Sequence, residues 1–379
     1  MKIAILKERA LNEKRVAITP DIVKKLVAHN VEICIEQGAG LTANITDEEY
    51  KNAGAKISNV LLEIVADADI VFKVQPSPAD NHNELNFIKE NALLLGLLSP
   101  YSNKDNLKKY VDKKVTAMAI ELLPRITKAQ GMDVLSSQSN LAGYISVIKA
   151  ANEYGGAFPM MMTAAGTVSP AKLLVMGAGV AGLQVIATAK RLGAIVSAFD
   201  VRSVAKEQVQ SLGASFIEVP VQEDGSTGAG YAKEMSEEYK AKQKQLIHET
   251  LKKSDIVITT ALIPGRSAPI LITAEMIKDM KPGSVIIDIA AGSGGNCEGT
   301  IADEIVMSDN CVKIVGFSNL AAHIPKEASK LYSKNLYNLL EYLTNKEFKQ
   351  VNLDFEDEIT KSCVLTHNGQ IIHPNFKEI

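Results

Sequence analysis

Apolar residues recur along this chain in short runs, separated by polar stretches of helical period. Residues 2–6 (KIAIL) form the first run, and Pro20-Asp21 then opens a helical pattern lasting through Ala28. Residues 31–35, 70–74, 92–98 and 115–120 are apolar again. Short apolar runs bounded by turn residues predict strands, and the stretches between them predict helices. Strands alternating with helices imply a parallel sheet covered on both faces. Residues 139–154 place Leu141, Tyr144, Ile145, Ile148 and Ala151 in helical register, which predicts a long helix entering a second domain. There the runs at 173–176, 195–199, 215–219, 256–260, 285–289 and 312–316 predict more strands. A late helix over 326–343 is expected to return the chain. The expectation is therefore an α/β protein of two Rossmann-like, doubly wound parallel-sheet domains separated by a cleft. Residues 1–135 plus 326–379 would form one domain and 136–325 the other, with ligands bound in the cleft.

The sharpest pattern is KLLVMGAGVAGLQVIATAKRLGAIVSAFDVR, residues 172–202. An apolar run leads into Gly177, Gly179 and Gly182, a helical pattern follows to Gly193, and a second run ends on Asp200. Each glycine has a job: Gly177 for the tight turn, Gly179 for close approach of a pyrophosphate, Gly182 for packing of helix on strand. The helix N-terminus offers N–H groups to phosphate. An acid about 20 residues on bonds the ribose hydroxyls of NAD and repels the extra phosphate of NADP. With strand, turn, helix and acid all in place, the stretch reads as a dinucleotide site that selects NAD through Asp200.

Composition narrows the picture. The 379 residues are 46% apolar, enough for two cored domains. A net charge of −3 without a long basic run removes the electrostatic basis for nucleic-acid binding. The cysteines at 34, 297, 311 and 363 form no CxxC pair, so neither a disulfide framework nor a metal site is expected, and a reducing cytoplasm is. The first residues return to charge after four apolar positions, which is no secretory signal, and no transmembrane run is found. Residues 222–233 (QEDGSTGAGYAK) are polar, glycine-rich and long for a connection. On their own they read equally as a mobile lid carrying Tyr231 or as a surface insertion.

Three further motifs carry a resemblance. KERALNEKRVAITP (7–20) holds Arg15, and FKVQPSP (72–78) holds Lys73. TTALIPGRSAP (259–269) and IDIAAGSGGNCE (287–298) follow the glycine turn. Together they resemble the superfamily of alanine dehydrogenase and the NAD-binding alpha subunit of proton-translocating nicotinamide nucleotide transhydrogenase, over nearly the whole chain. Alanine dehydrogenases hold the substrate carboxylate with an arginine and a lysine, matched here by Arg15 and Lys73. Their acid/base histidine is missing: no histidine lies between Asn83 and Tyr110, and Ser99 falls near its place. Gly292 stands where they carry an aspartate, and His82 sits in a polar loop as a solvated histidine.

The segment PRITKAQGMDVLSSQSN (124–140) resembles the transhydrogenase branch instead. The resemblance implies that Arg125, Asp133 and Ser136 hold the nicotinamide end of NAD and that Gln130 meets a partner carrying NADP. It also implies that Tyr231, beside Gly230, closes over bound NAD. The cofactor contacts it implies are Gly177, Gly179, Val180, Gly182, Asp200, Val201, Arg202, Gly230, Ala261 and Leu262. Hydride transfer between two nicotinamides needs contact and orientation but no proton acceptor. The implied activity is that of a Re/Si-specific, proton-translocating NAD(P)+ transhydrogenase alpha subunit, active only with partner subunits. The implied setting is a homodimer on the cytoplasmic face of the cell membrane, docked to membrane-embedded and NADP-binding partners. Arg15 and Lys73 become inherited structure. The alternatives are an amino-acid dehydrogenase of the alanine or saccharopine type and a non-catalytic NAD sensor.

Overall fold

The strand Lys2–Ile5 shows how the first sheet is built. Ile3 and Ile5 point into one apolar cluster, Ala4 and Leu6 into another on the opposite face. This period of two, apolar on both sides, belongs to a strand buried in a parallel sheet. The computed structural model describes residues 1–76, 83–220, 236–263 and 265–377. It divides into two compact units, Met1–Gln138 with Ala322–Ile379, and Ser139–Ala321.

In the first unit the described strands lie in the order Gln370–Ile371, Val364–His367, Thr116–Ala119, Leu93–Gly96, Ile70–Phe72, Lys2–Ile5, Glu32–Glu36, Lys56–Ser58. The strands from Thr116–Ala119 to Lys56–Ser58 run parallel. The apolar runs at 31–35, 70–74, 92–98 and 115–120 are all strands, each shorter than or offset from its run by a residue or more. Helix Pro20–Ala28 begins on a proline whose missing N–H costs nothing at that position. It buries Ile22, Val23 and Leu26 on one face. Each such side chain contributes about 1.5–3 kcal/mol of transfer free energy.

The segment between Lys2–Ile5 and Pro20–Ala28 has no ladder of its own, yet Val16, Ala17 and Ile18 are fully buried. Its backbone donors are met by side chains of the late helix Pro325–Leu343: Val16 N donates to Ser329 Oγ (3.0 Å) and Thr19 N to Ser333 Oγ (3.1 Å). Tyr332, buried between them in sequence, donates to the Lys73 carbonyl at 2.7 Å. Buried backbone is thus satisfied without secondary structure.

The second unit carries strands in the order Ser215–Phe216, Ile195–Phe199, Lys172–Met176, Ile256–Thr259, Val285–Asp288, Lys313–Val315, Ile305–Met307. Leu173, Val175, Ile256, Ile258, Val285 and Ile287 face one cluster, and Leu174, Met176, Val257 and Ile286 the other. Within this unit Gly143 lies so close to the Ala181 carbonyl that no side chain would fit, which lets the helix ending at Glu153 cross the start of Val180–Arg191.

The sheets are not wholly parallel. Val364–His367 pairs antiparallel with Thr116–Ala119, and Ile305–Met307 antiparallel with Lys313–Val315. Both additions are short strands at or next to a sheet edge, where an antiparallel neighbour needs no crossover helix. Gln370–Ile371 also pairs antiparallel with Val364–His367, and the hairpin Met161–Thr163/Gly166–Val168 is a two-stranded antiparallel sheet of its own with every strand residue exposed.

Candidate functional site

In the second unit, strand Lys172–Met176 ends at Gly177, whose φ of +102° lies in the region that side chains rarely adopt. A Cβ there would also meet Thr260 Oγ1, the hydroxyl that donates to the Gly177 carbonyl at 2.9 Å. Gly182 sits against that same carbonyl with no room for a methyl group. Gly179 is different: a Cβ there would find only Arg202 Nη2, at 3.8 Å. The first two glycines are therefore required by the protein's own packing. The third leaves open space in front of the helix Val180–Arg191, whose N-cap it is and whose first turn it leaves without a side-chain cap. Val180 and Leu262 present exposed apolar surface beside this turn.

Asp200, buried at the end of the neighbouring strand, points back at the turn. Its Oδ2 accepts from Ala178 N at 2.7 Å, and its Oδ1 from Arg202 N at 2.9 Å. The Arg202 guanidinium closes the arrangement with bonds of 2.9 and 2.7 Å to the two oxygens. The hydrogen bond to Asp200 raises the guanidinium pKa above its usual value. Val201 lies between them, half-buried.

A second acid organises the far side of the turn. Asp288, fully buried, accepts from Thr259 Oγ1, Ala290 N, Asn296 N, Cys297 N and Thr300 Oγ1 at 2.7–3.1 Å. This fixes Asn296, which accepts from Ala261 N (3.0 Å) and donates to the Ala261 carbonyl (2.9 Å) and the Pro269 carbonyl (2.8 Å). Sequence reasoning named Ala261 and Leu262 but missed the pair that holds them. The available signal was an acid ending an all-apolar strand, Val285–Asp288, where a buried charge requires partners.

In the first unit the segment 125–136 follows a different plan. Ala129 and Met132 are buried anchors, while Arg125 and Gln130 are exposed. Residues Thr127–Met132 form a 3₁₀ turn, and Asp133 starts the helix Val134–Glu153. The Asp133 carboxylate accepts from Ser136 N at 2.9 Å and from Ser136 Oγ at 2.6 Å, as a capping acid does. Asp133 and Ser136 thus act on each other.

Arg15 and Lys73, also in this unit, are engaged by the chain's own acids. Arg15 Nε and Nη2 donate to the two Glu13 oxygens at 2.8 and 2.6 Å, and Nη1 donates to Gln138 Oε1 at 2.9 Å. Lys73, 3% exposed, lies 3.4 Å from Glu84 Oε2 and 3.7 Å from Glu8 Oε2. Glu8 also accepts from Val74 N and Gln75 N, and burial raises its pKa. Ser99 adopts φ +48°, held by its N–H and that of Leu98 on the Glu121 carboxylate. Burial pushes the Glu121 carboxyl up to about 7. Gly292 lies beside Ser318, with no acid side chain to offer. Tyr231, Gly230 and His82 lie outside the described residues.

Residues 4–142 match the alanine dehydrogenase/PNT N-terminal domain, and residues 146–374 match the alanine dehydrogenase/PNT C-terminal domain. The chain belongs to the alanine dehydrogenase/PNT family. It is 51% identical to an NAD(P) transhydrogenase alpha-subunit chain of Rickettsia prowazekii (strain Madrid E), over 100% of this chain and 98% of that one. It is 31% identical to the alanine dehydrogenase of Methanococcus maripaludis, over 98% of this chain and 95% of that one. Among solved structures it resembles a transhydrogenase from Sinorhizobium meliloti, with a TM-score of 0.89 and 47% identity over 98% and 100% of the two chains. Within the alanine dehydrogenase/PNT family the chain therefore stands nearer the transhydrogenase alpha subunits than the dehydrogenase. Among the described residues no helix is long and apolar enough to cross a membrane, and no cluster of His, Cys, Asp or Glu could hold a metal ion.

Proposed function

We propose that this chain is the NAD(H)-binding alpha subunit of a Re/Si-specific, proton-translocating NAD(P) transhydrogenase, working with an NADP-binding partner and membrane-embedded subunits. The observation that carries this reading over the amino-acid dehydrogenase is the saturation of Arg15 and Lys73 by Glu13, Glu8 and Glu84. The two cations that would hold a substrate carboxylate already hold internal ones. Ser99 and Gly292 add no acid or base in return.

The residues present fit NAD. The open approach at Gly179 and the uncapped first turn of Val180–Arg191 suit a pyrophosphate. Asp200 suits a ribose diol, and Arg202, whose Nη2 lies 3.8 Å from where a Gly179 Cβ would stand, would add a cation beside a phosphate there. Val180, Val201, Ala261 and Leu262 supply the walls, and Gly230 and Tyr231 the closing loop. Bound NADH supplies a hydride from its nicotinamide C4, which the C4 of NADP+ on the partner accepts, so no proton changes hands in this step. Arg125, Asp133 and Ser136 orient the nicotinamide end, and Gln130 faces the partner's ring. Protons cross the membrane in other subunits, with this chain on the cytoplasmic face. The exposed methionine hairpin supports a homodimer.

The test is reconstitution. The chain mixed with a transhydrogenase NADP-binding subunit should transfer hydride from NADH to an NADP analogue in single-turnover mixing, and should not turn over L-alanine with NAD+. Alanine turnover, or no transfer in the mixture, would overturn the proposal.

A further inference from the structure

The loop that carries Gln130 is weak by itself. Thr127–Met132 is six residues of 3₁₀ turn, longer than that geometry usually sustains, and it contains a glycine. Two asparagines of the helix Pro325–Leu343 compensate. Asn335 Nδ2 and Asn338 Nδ2 both donate to the carbonyl of Gly131, at 2.9 and 2.7 Å. Both acceptor positions of one carbonyl are thus filled, immediately after Gln130.

Asn335 is bound at both ends, since its Oδ1 accepts from Ser137 Oγ at 2.7 Å. It therefore ties the turn to the first residues of the following helix. One turn farther along the same face, the Tyr342 hydroxyl and Asp357 hold Lys128, at 3.1 and 2.6 Å. Residues three and four apart share a helix face, so 335, 338 and 342 form one polar stripe against the loop. A Cβ on Gly131 would come within 2.9 Å of Asn338 Nδ2, so a side chain there would push the asparagine amide aside.

We propose that Asn335 and Asn338 are positioning residues for hydride transfer, which hold Gln130 at the height where it meets the partner's nucleotide by fixing the carbonyl of Gly131. This rests on the reading of Gln130 given above. Neither asparagine touches substrate. Their effect is confined to where Gln130 stands, and a displacement of about an ångström costs on the order of a hundredfold in rate.

The experiment is a cycle of variants in the reconstituted complex, read by single-turnover transfer and by NADH titration. N335A/N338A should slow transfer by roughly ten- to a hundredfold while leaving NADH affinity within about twofold. N338A alone, at a half-buried position, should give part of that loss without disturbing the fold. G131A reaches the same bonds from the loop side and should also slow transfer. In the Q130N background, itself slow, removal of both asparagines should add little, because a clamp cannot misplace a side chain already out of reach. Parental rates in N335A/N338A beside a slow Q130N would overturn the clamp while sparing the reading of Gln130. Full additivity of the losses, or loss of NADH affinity instead of rate, would overturn it too, by placing the effect elsewhere. A fast Q130N would remove the reading of Gln130 and the clamp with it.

Discussion

Asp200 and Arg202 are two residues apart and act as one unit. The carboxylate bonds Ala178 N and the guanidinium, so it fixes the glycine turn and holds a cation beside it. Removing the negative charge would let Arg202 meet a 2′-phosphate. D200N should therefore narrow the preference for NADH over NADPH by roughly tenfold or more, about 1.4 kcal/mol, in parallel fluorescence titrations. An unchanged ratio would take cofactor selection away from Asp200. Glu121 makes a second prediction at this scale. Its pKa is raised by burial to about 7, so the folded chain binds this proton more tightly than the unfolded one. The neutral form's contribution is full below the unfolded value near 4.5 and is lost as pH rises to about 7. E121Q, which keeps an acceptor for the Leu98 and Ser99 N–H groups, should flatten this fall and gain on the order of 1–3 kcal/mol relative to the parent at pH 8. Thermal unfolding from pH 5 to pH 8 checks it; parallel curves for the two proteins would refute it. None of these partners was legible in sequence. Glu13 and Arg15 are neighbours by number, but Lys73 meets Glu8 and Glu84 only once the strands Lys2–Ile5 and Ile70–Phe72 and the helix Asn83–Phe87 have assembled.

At the scale of elements, the interior strands were legible because burial on both faces writes a continuous apolar run, as in Ile256–Thr259. The late helix was legible for a related reason: its apolar positions keep one face over five turns. The edge strand Ser215–Phe216 falls in the run at 215–219, but the edge strand Ile305–Met307 and the hairpin were not legible. Ile305–Met307 is three residues long and mostly exposed, so no pattern marks it. The hairpin Met161–Thr163/Gly166–Val168 is apolar without being buried, and a two-stranded sheet is marginal in water by itself. Met160 and Met162 are 60% and 80% exposed. Flexible thioethers on an unpaired ribbon suit a contact with a second copy. M161E/M162E should shift the chain from dimer to monomer in sedimentation velocity and leave NADH binding unchanged, since neither residue belongs to a core. An unaltered mass would remove the hairpin from the proposed dimer contact.

For the whole molecule, the sequence spoke most clearly where one segment does one job. Residues 172–202 contain the turn, the helix and the acid in a single run, so the proposed nucleotide site can be read from the chain alone. The loop at 124–140 was recognisable only by resemblance, because what shapes it lies some 200 residues away: Gly131 and Asn335 are 204 positions apart. The paired cations show what such long-range choices accomplish. Glu13 is tethered two residues from Arg15, so its effective concentration at that guanidinium far exceeds that of any dissolved acid. A free amino acid or keto acid would have to displace these internal carboxylates to reach Arg15 or Lys73. On the proposed function, the chain would answer to the redox poise of the nicotinamide pool rather than to nitrogen or carbon supply.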